Sequence, residues 1–207
     1  MIDVRELGSL QLDGLREVAN IGAGHAATAL SQLTHRRILL DVPQIRITRL
    51  EEAAELVGPG DEVIAAVLVR VLGDATGRTV LILPRDTAVR LTEILLGRTG
   101  VTFPESFGEL ERSALTEAGN ILVGAHLSAL SDFLGLILLN SVPGLAIDLA
   151  AAILTSSYLN FGERADYVFC LDTLFRVDEG EHPLRGHLLL IPDGGSLEVI
   201  LRAIRLG

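Results

Sequence analysis

Two segments of the chain carry the hydrophobic spacing of long amphipathic helices. Across residues 10–34, apolar side chains recur at intervals of three and four and fall on one side of a helix. Residues 113–133 repeat that spacing. The opposite side of each helix is polar, and it carries Asp13, Glu17, Asn20 and Gly24 in the first segment and Ser113, Glu117, Asn120 and Gly124 in the second.

The two helical segments are copies of one sequence unit. DGLREVANIGAGHAATALSQL (13–33) aligns without a gap to SALTEAGNILVGAHLSALSDF (113–133), at an offset of 100 residues. The alignment pairs Glu17 with Glu117, Asn20 with Asn120, Gly24 with Gly124, Leu30 with Leu130 and, further on, Pro43 with Pro143. An internal repeat of this kind predicts two similar halves, at about 10–98 and 108–207, within one domain spanning 1–207.

The remainder of each half predicts a β-hairpin followed by a helix. Residues 63–86 and 166–193 each contain two apolar runs, joined by turns around 73–77 and 178–183, and amphipathic segments follow at 87–97 and 196–206. Each half is therefore predicted as helix, strand, hairpin, helix. The prediction is an α+β fold in which two pseudo-twofold-related αβ repeats pack long helices on a mainly antiparallel central sheet.

The glycines of the first segment suggest an alternative, a dinucleotide site. Gly22-x-Gly24-x-x-Ala27, with Asp41 downstream, matches a relaxed form of the Gly-rich fingerprint. That fingerprint requires a preceding strand and a helix that begins within it, so that free backbone N–H groups face the pyrophosphate. Here the preceding residues already have helical periodicity, which places the glycines inside a helix and argues against the site.

Glycine inside a helix costs about 0.5–1 kcal/mol relative to alanine, so these positions need another explanation. Gly22 and Gly119 fall on the apolar sides, where close packing against the sheet is the simplest interpretation. Gly24 and Gly124 fall on the polar sides, one turn beyond the asparagines. At these two positions a missing side chain would let the backbone of a partner approach.

The Glu-x-x-Asn pairs are candidates for a functional surface. For a single helix, an ordinary solvated face would explain Asp13, Glu17 and Asn20. The recurrence of Glu-x-x-Asn at the same helical register favours a functional role. Asparagine is a mediocre helix former, so helix propensity does not explain why it recurs. The glutamate carboxylate can accept hydrogen bonds from a cationic group, and the asparagine amide can orient a water molecule without ionising. Together on an exposed stripe, the two side chains could enter the active site of another protein.

Composition narrows the possible functions. The net charge of −10 argues against nucleic-acid binding, which needs a basic face. The single cysteine excludes a disulfide framework, and none of the five histidines has metal-ligand spacing, so no metal site is expected. His126 falls on an apolar helix face and is expected to be packed there. No apolar run is long enough to span a bilayer and no signal peptide precedes the first helix, so we expect a cytoplasmic protein.

The repeated motif resembles the signature of the CheC/CheX/FliY phosphatases of bacterial chemotaxis. That signature is Asp/Ser-x-x-x-Glu-x-x-Asn followed by 22 residues and Pro. It occurs twice here, as Asp13, Glu17, Asn20 and Pro43 and as Ser113, Glu117, Asn120 and Pro143. The double occurrence and the length of the chain most resemble the CheC branch of the family.

The resemblance implies hydrolysis of the aspartyl phosphate of the response regulator CheY. By analogy, Asn20 or Asn120 would orient the attacking water, and Glu17 or Glu117 would pair with a lysine of the regulator. Asp13, Gly24, Ser113 and Gly124 would line the docking surface. The chain would need no cofactor of its own, since the Mg²⁺ ion would belong to the regulator. Because Asp13 is replaced by Ser113, the two sites need not be equally active.

The resemblance also implies a second partner, the receptor deamidase CheD, whose binding would enhance the phosphatase. We place this contact at residues 146–154, with Asp148 as the candidate residue, although an amphipathic or buried element with one solvated acid explains the segment equally well. A non-catalytic docking or adaptor component of the chemotaxis or flagellar switch machinery is the alternative function. Retention of both Glu-Asn pairs favours the enzyme.

Overall fold

The computed structural model describes residues 8–104, 107–159, 167–177 and 183–206. The first half contains α1 (Ser9–Thr34), β1 (Ile38–Arg49), α2 (Leu50–Val57), β2 (Val63–Gly73), β3 (Gly77–Leu83) and α3 (Arg85–Leu96). The second half contains α4 (Glu109–Leu134), β4 (Leu138–Asn140), β5 (Gly144–Leu149), α5 (Ala150–Leu159), β6 (Tyr167–Val177), β7 (Leu184–Pro192) and α6 (Gly194–Leu206). The helices α1 and α4 each have 26 residues and begin 100 residues apart.

The described strands form one antiparallel sheet in which the two halves interleave. The strand order is β1-β6-β7-β3-β2-β4, and β5 also pairs with β2. At the 100-residue offset, β1 of the first half corresponds to β4 and β5 of the second. The first strand of each half thus pairs with the hairpin of the other half. The two hairpins pair with each other through β3 and β7 in the middle of the sheet. The order is unchanged when the halves are exchanged, which confirms the pseudo-twofold α+β fold.

Helices cover both faces of the sheet. The larger core lies between one face and the helices α1, α3, α4 and α6, with Leu30 and Leu122 among its fully buried side chains. A smaller core lies on the other face, where α2 and α5 contribute Ala53 and Ile153. Strands such as β2 are consequently apolar on both sides, as expected for a sheet buried between two layers.

The sequence pattern missed one helix in each half. The structure inserts α2 and α5 between the first strand and the hairpin, whereas the sequence predicted a strand leading to the hairpin directly. The two helices have 8 and 10 residues, too few for their periodicity to stand out from neighbouring apolar strands. The first hairpin turn lies between Gly73 and Gly77 as predicted, and residues 178–182 of the second turn lie outside the described residues.

The apolar-side glycines permit two close approaches. An added Cβ at Gly119 of α4 would lie 2.6 Å from the side chain of Val67 on β2, so α4 packs tightly on the sheet at this glycine, as predicted. At Gly22 the prediction was wrong about the neighbour. An added Cβ would lie 2.8 Å from the Cα atom of His126, so Gly22 lets the backbones of α1 and α4 approach each other.

In the described part of the chain, no helix has the length and apolar character needed to cross a membrane.

Candidate functional site

The polar stripes of α1 and α4 lie on the outer surface, at opposite edges of the sheet. Glu17 and Glu117 are exposed, and Asn20 and Asn120 are half-buried where each helix passes its neighbouring edge strand. Because i and i+3 side chains of a helix lie on the same face, each glutamate stands beside its asparagine. The structure therefore presents two Glu-Asn pairs, each near the middle of a 26-residue helix whose apolar side packs in the larger core.

The Asn20 side chain is bound to the backbone of β1. Its Oδ1 accepts a hydrogen bond from the Val42 N–H at 2.9 Å, and its Nδ2 donates to the Val42 carbonyl oxygen at 3.2 Å. Nδ2 also donates to the Arg16 carbonyl oxygen, at 3.0 Å. The amide thus satisfies the outward backbone groups of an edge strand and ties α1 to it.

The Asn120 side chain has a different environment. Its Oδ1 accepts a hydrogen bond from Asn140 Nδ2 at 3.3 Å. Within the described part of the chain, the Asn120 Nδ2 group donates no hydrogen bond to protein, so both of its hydrogens remain available to solvent or a ligand. The residue that aligns with Asn140 in the first half is Leu40, which is buried and cannot make this bond. Sequence reasoning missed Asn140, although the repeat alignment sets it against a leucine.

The difference between the two asparagines follows from the strands beside them. In the first half, β1 runs through the Val42-Pro43 pair with a register shift between Asp41 and Gln44, and Val42 is 1% exposed. In the second half, the strand is interrupted between β4 and β5, and Val142 is 89% exposed. Val142, which corresponds to Val42, is therefore an exposed residue outside the described strands.

The glycines on the polar stripes face open space. An added Cβ at Gly24 or Gly124 would meet no atom within 4 Å, apart from the helix's own backbone. Beside Gly24, a shallow groove of about 470 Å³ separates α1 from β1 and is lined by Thr28 and Leu40 among others. The absence of a side chain at these positions therefore lowers the surface of the helix where a partner would approach.

The remaining predicted docking residues also lie on the surface. Asp13 is exposed and forms an ion pair with Arg16, with 3.2 Å between Asp13 Oδ1 and Arg16 Nη2. Ser113 is exposed at the corresponding position of α4. The corresponding ends of the stripes thus carry different groups, an Asp–Arg ion pair on α1 and a hydroxyl on α4.

Asp148 lies apart from both Glu-Asn pairs along the chain. It is exposed near the end of β5, immediately before α5, and its carboxylate accepts a hydrogen bond from the Leu149 N–H at 2.7 Å. Residues 146–154 are thus the last residues of β5 and the first part of α5. The segment presents one solvated carboxylate at the start of a helix that packs on the smaller core.

Two other reactive side chains, Cys170 and His126, are buried in the described structure. Burial raises the pKa of the Cys170 thiol to about 12, so the thiolate is scarce at neutral pH. His126 is buried as predicted, and burial lowers its pKa, which favours the neutral imidazole. On the exposed stripes, each glutamate can pair with a cation and each asparagine amide has hydrogen-bond donor and acceptor groups.

Comparison with known proteins gives the family. A model of the CheC-like family matches residues 10–47 and 110–147, which are the two copies of the motif. The chain is also 34% identical to the CheY-P phosphatase CheC of Bacillus subtilis, over 94% of this chain and 93% of that protein. The chain belongs to the CheC-like family. Both copies of the motif, and not only one, carry the family pattern.

Solved structures share the fold. Thermotoga maritima FliY is similar with a TM-score of 0.71 and 22% identity, covering 97% of this chain and 98% of that one. The middle domain of FliM from H. pylori is similar with a TM-score of 0.68 and 13% identity, covering 95% and 99%. At these identities the likeness establishes the shared architecture of a CheC-like protein and nothing about its chemistry.

Proposed function

We propose that this CheC-like chain is a phosphatase that hydrolyses the aspartyl phosphate of a CheY-type response regulator. The near full-length relationship to a CheY-P phosphatase supports the activity. The observation that carries the mechanism is the Asn120 amide on the 26-residue helix α4, whose Nδ2 group donates no hydrogen bond within the described structure. An amide in this state can reach into a partner's site and orient a water molecule.

In the proposed reaction, the asparagine side chain positions water in line with the phosphorus–oxygen bond of the acyl phosphate. Water attacks the phosphorus atom, the bond to the regulator's aspartate breaks, and inorganic phosphate and the free carboxylate leave. An acyl phosphate is already activated, so alignment of the nucleophile and compensation of charge supply the acceleration. The chain needs neither a covalent nucleophile nor a metal of its own for this step.

The glutamates are proposed to dock the regulator. Glu17 and Glu117 are exposed and one turn from the asparagines, so each carboxylate can pair with a lysine beside the regulator's phosphoryl group. The Mg²⁺ ion bound by the regulator itself would neutralise phosphoryl charge. Gly24 and Gly124 would let the partner's backbone come close to the helix, because no side chain occupies that space.

A turnover assay with purified phosphorylated regulator tests the activity. The wild-type chain should accelerate the loss of phosphate, and the double variant Glu17→Ala, Glu117→Ala should raise KM more than it lowers kcat. The matched control is Glu62→Ala, an exposed glutamate remote in sequence from both helical stripes. No acceleration by the wild-type chain would overturn the proposal, and an effect of the control as large as that of the double variant would remove the glutamates' docking role.

A docking role without catalysis is favoured for the first copy by one observation. Asn20 uses both ends of its amide on the backbone of Val42, so it must break those bonds before it can orient a water. We therefore propose that α4 carries most of the catalytic activity and that α1 mainly binds a regulator. Single-site variants, described in the Discussion, separate these two roles.

We also propose that a CheD-type deamidase binds at residues 146–154. The support is the exposed Asp148 carboxylate next to the first turn of α5, and the family to which the chain belongs. A carboxylate at the interface rim would contribute to partner choice through charge. Asp148→Lys should weaken binding of the deamidase in a pull-down or calorimetric titration and leave the basal phosphatase rate unchanged. Equal binding by the variant would place the contact elsewhere.

A further inference from the structure

Three potential metal ligands meet on the sheet face that carries α2 and α5. Cys170 and Asp172 lie two residues apart on β6, and His187 lies opposite Asp172 on β7. The Cys170 Sγ atom, an Asp172 carboxylate oxygen and a His187 ring nitrogen all lie within 4.8 Å of one another. His187 Nδ1 is 3.1 Å from Asp172 Oδ1. In the described part of the chain, these are the three potential metal-ligating side chains that lie this close together.

The internal repeat shows that the fold does not require polar residues there. Strand pairing aligns β6 with β2 and β7 with β3, since each first strand pairs in the same way with the other half. In that alignment Cys170 corresponds to Ala66, Asp172 to Leu68 and His187 to Val80. The first half fills these positions with small and apolar side chains of the smaller core. The second half has replaced all three with residues that can bind a metal.

The cluster is accessible from one side. Cys170 is 1% exposed, whereas Asp172 and His187 are half-buried and line a cleft of about 220 Å³ together with Pro43 and Leu56. The cleft lies beside α2, on the sheet face away from α1 and α4. Asp172 and His187 therefore face solvent through the cleft, and the buried Cys170 Sγ atom lies within 4.8 Å of their ligand atoms.

We propose that Cys170, Asp172 and His187 bind a Zn²⁺ ion, with the fourth coordination position open to the cleft. Cysteine, histidine and aspartate are all zinc ligands, and three protein ligands with one open position make a four-coordinate site. With bonds of about 2.0–2.3 Å, tetrahedral ligand atoms lie about 3.3–3.6 Å apart. The His187–Asp172 separation of 3.1 Å is already close to this, and because all three ligand atoms lie within 4.8 Å of one another, small side-chain rotations can close the site. On binding, the Cys170 thiol proton passes to solvent and His187 carries its remaining hydrogen on Nε2.

The charges around the cluster are compatible with this ion. Arg46 Nη2 lies 3.8 Å from Asp172 Oδ2, the oxygen that does not face His187, and Arg46 also donates to Gln44 Oε1 at 2.8 Å. Arg185 also lines the cleft. The Cys170 thiolate and the Asp172 carboxylate together offset the two charges of Zn²⁺. The two guanidinium groups then favour an anion, such as hydroxide or a carboxylate, at the open position.

Titration of the full chain with Co²⁺ and Zn²⁺ tests the site. Co²⁺ is expected to give a sulfur-to-cobalt charge-transfer absorption in the near ultraviolet that saturates at one ion per chain and disappears on addition of Zn²⁺. Because the chain has a single cysteine, this absorption reports Cys170 alone. Absence of the absorption in the wild-type chain would overturn the proposal.

The chain supplies its own metal-free control. The triple variant Cys170→Ala, Asp172→Leu, His187→Val copies the first half, so it should fold, show no charge-transfer absorption and bind Zn²⁺ at least about tenfold more weakly by calorimetry. His187→Gln alone should also weaken Zn²⁺ binding, whereas His25→Ala, which changes an exposed histidine of α1, should not. Zn²⁺ binding of wild-type strength in a folded triple variant, or equal losses in the His187 and His25 variants, would contradict the assignment.

Discussion

At the scale of single residues, two asparagines with the same place in the repeat have different hydrogen-bond partners. Asn20 completes the edge of β1 through Val42, and Asn120 is held through its oxygen by Asn140. The first arrangement stabilises the fold, whereas the second fixes the amide and leaves its nitrogen free within the described structure to act. The same residue type therefore serves structure in one half and, in our proposal, catalysis in the other.

Substitution of the two asparagines should separate these roles. Asn120→Ala should lower kcat for loss of phosphate from the regulator by about tenfold or more, because the positioned amide is lost. Asn20→Ala should lower kcat by less, and it should reduce the free energy of unfolding by about 1–3 kcal/mol because the Val42 backbone loses its partners. Turnover and urea unfolding of both variants measure this. A larger kcat loss in Asn20→Ala than in Asn120→Ala would contradict the assignment.

Asn140 is predicted to be a positioning residue for Asn120. Asn140→Leu introduces the residue of the first half and removes the bond to Asn120 Oδ1, so kcat should fall severalfold with little change in KM. Asn140→Gln, which can still donate a hydrogen bond, should recover part of the rate. An equal loss in both variants would show that the hydrogen bond is not what matters. Adding Asn140→Leu to Asn120→Ala should then have almost no further effect on kcat.

At the scale of elements, α1 and α4 depend on glycines with opposite purposes. Gly22 is at the contact between the two helices, where an added Cβ would lie 2.8 Å from backbone, and Gly24 faces open space two residues later. Both lie inside the continuous helix α1, where alanine has the higher helix propensity. One glycine therefore serves packing and the other serves the exposed surface.

Alanine substitution at these glycines should have opposite effects on stability. Gly22→Ala should lower the free energy of unfolding by about 1–3 kcal/mol, because the helices cannot separate without losing core contacts. Gly24→Ala should raise it by about 0.5–1 kcal/mol, as expected for a glycine in a helix interior with room for a methyl group. Chemical denaturation of both variants checks the signs. A stabilising Gly22→Ala would mean that α1 and α4 are not closely packed there.

The buried His126 of α4 should make stability depend on pH. Burial lowers its pKa in the folded state below that in the unfolded chain, so the unfolded state binds more protons as the pH falls. The free energy of unfolding should therefore decline below about pH 6.5, the usual histidine pKa. His126→Gln should show a shallower decline between about pH 5 and 7. An identical slope in wild type and variant would assign the effect to other groups.

Sequence patterning predicted the long helices, the repeat and the exposed Glu-Asn stripes because each depends on local spacing. It did not predict α2 and α5, which are short and lie among apolar strands. It also did not predict the exchange of first strands, since the repeat alone is compatible with two separate small sheets. The different environments of Asn20 and Asn120 depend on the break between β4 and β5, which propensity does not specify.

At the scale of the whole molecule, the two halves depend on each other. Because β1 pairs with β6 and β5 pairs with β2, neither half contains the partner of its own hairpin edge. A chain ending near residue 98 should therefore not form a folded monomer. It should either remain unfolded or associate so that a second copy supplies the missing strand. Circular dichroism and sedimentation of this fragment test the point, and a stable monomer would contradict it.

In the proposed reaction, an asparagine amide carried by a helix positions the water that hydrolyses a partner's aspartyl phosphate. The most direct measurement is the rate of phosphate loss from the phosphorylated regulator in the presence of Asn20→Ala, Asn120→Ala. As a control, binding of this variant to the regulator carrying a phosphoryl analogue is measured separately. This variant is expected to bind the regulator and to leave the rate at that of the regulator alone, as the proposed mechanism requires. Acceleration equal to that of the wild-type chain would contradict it.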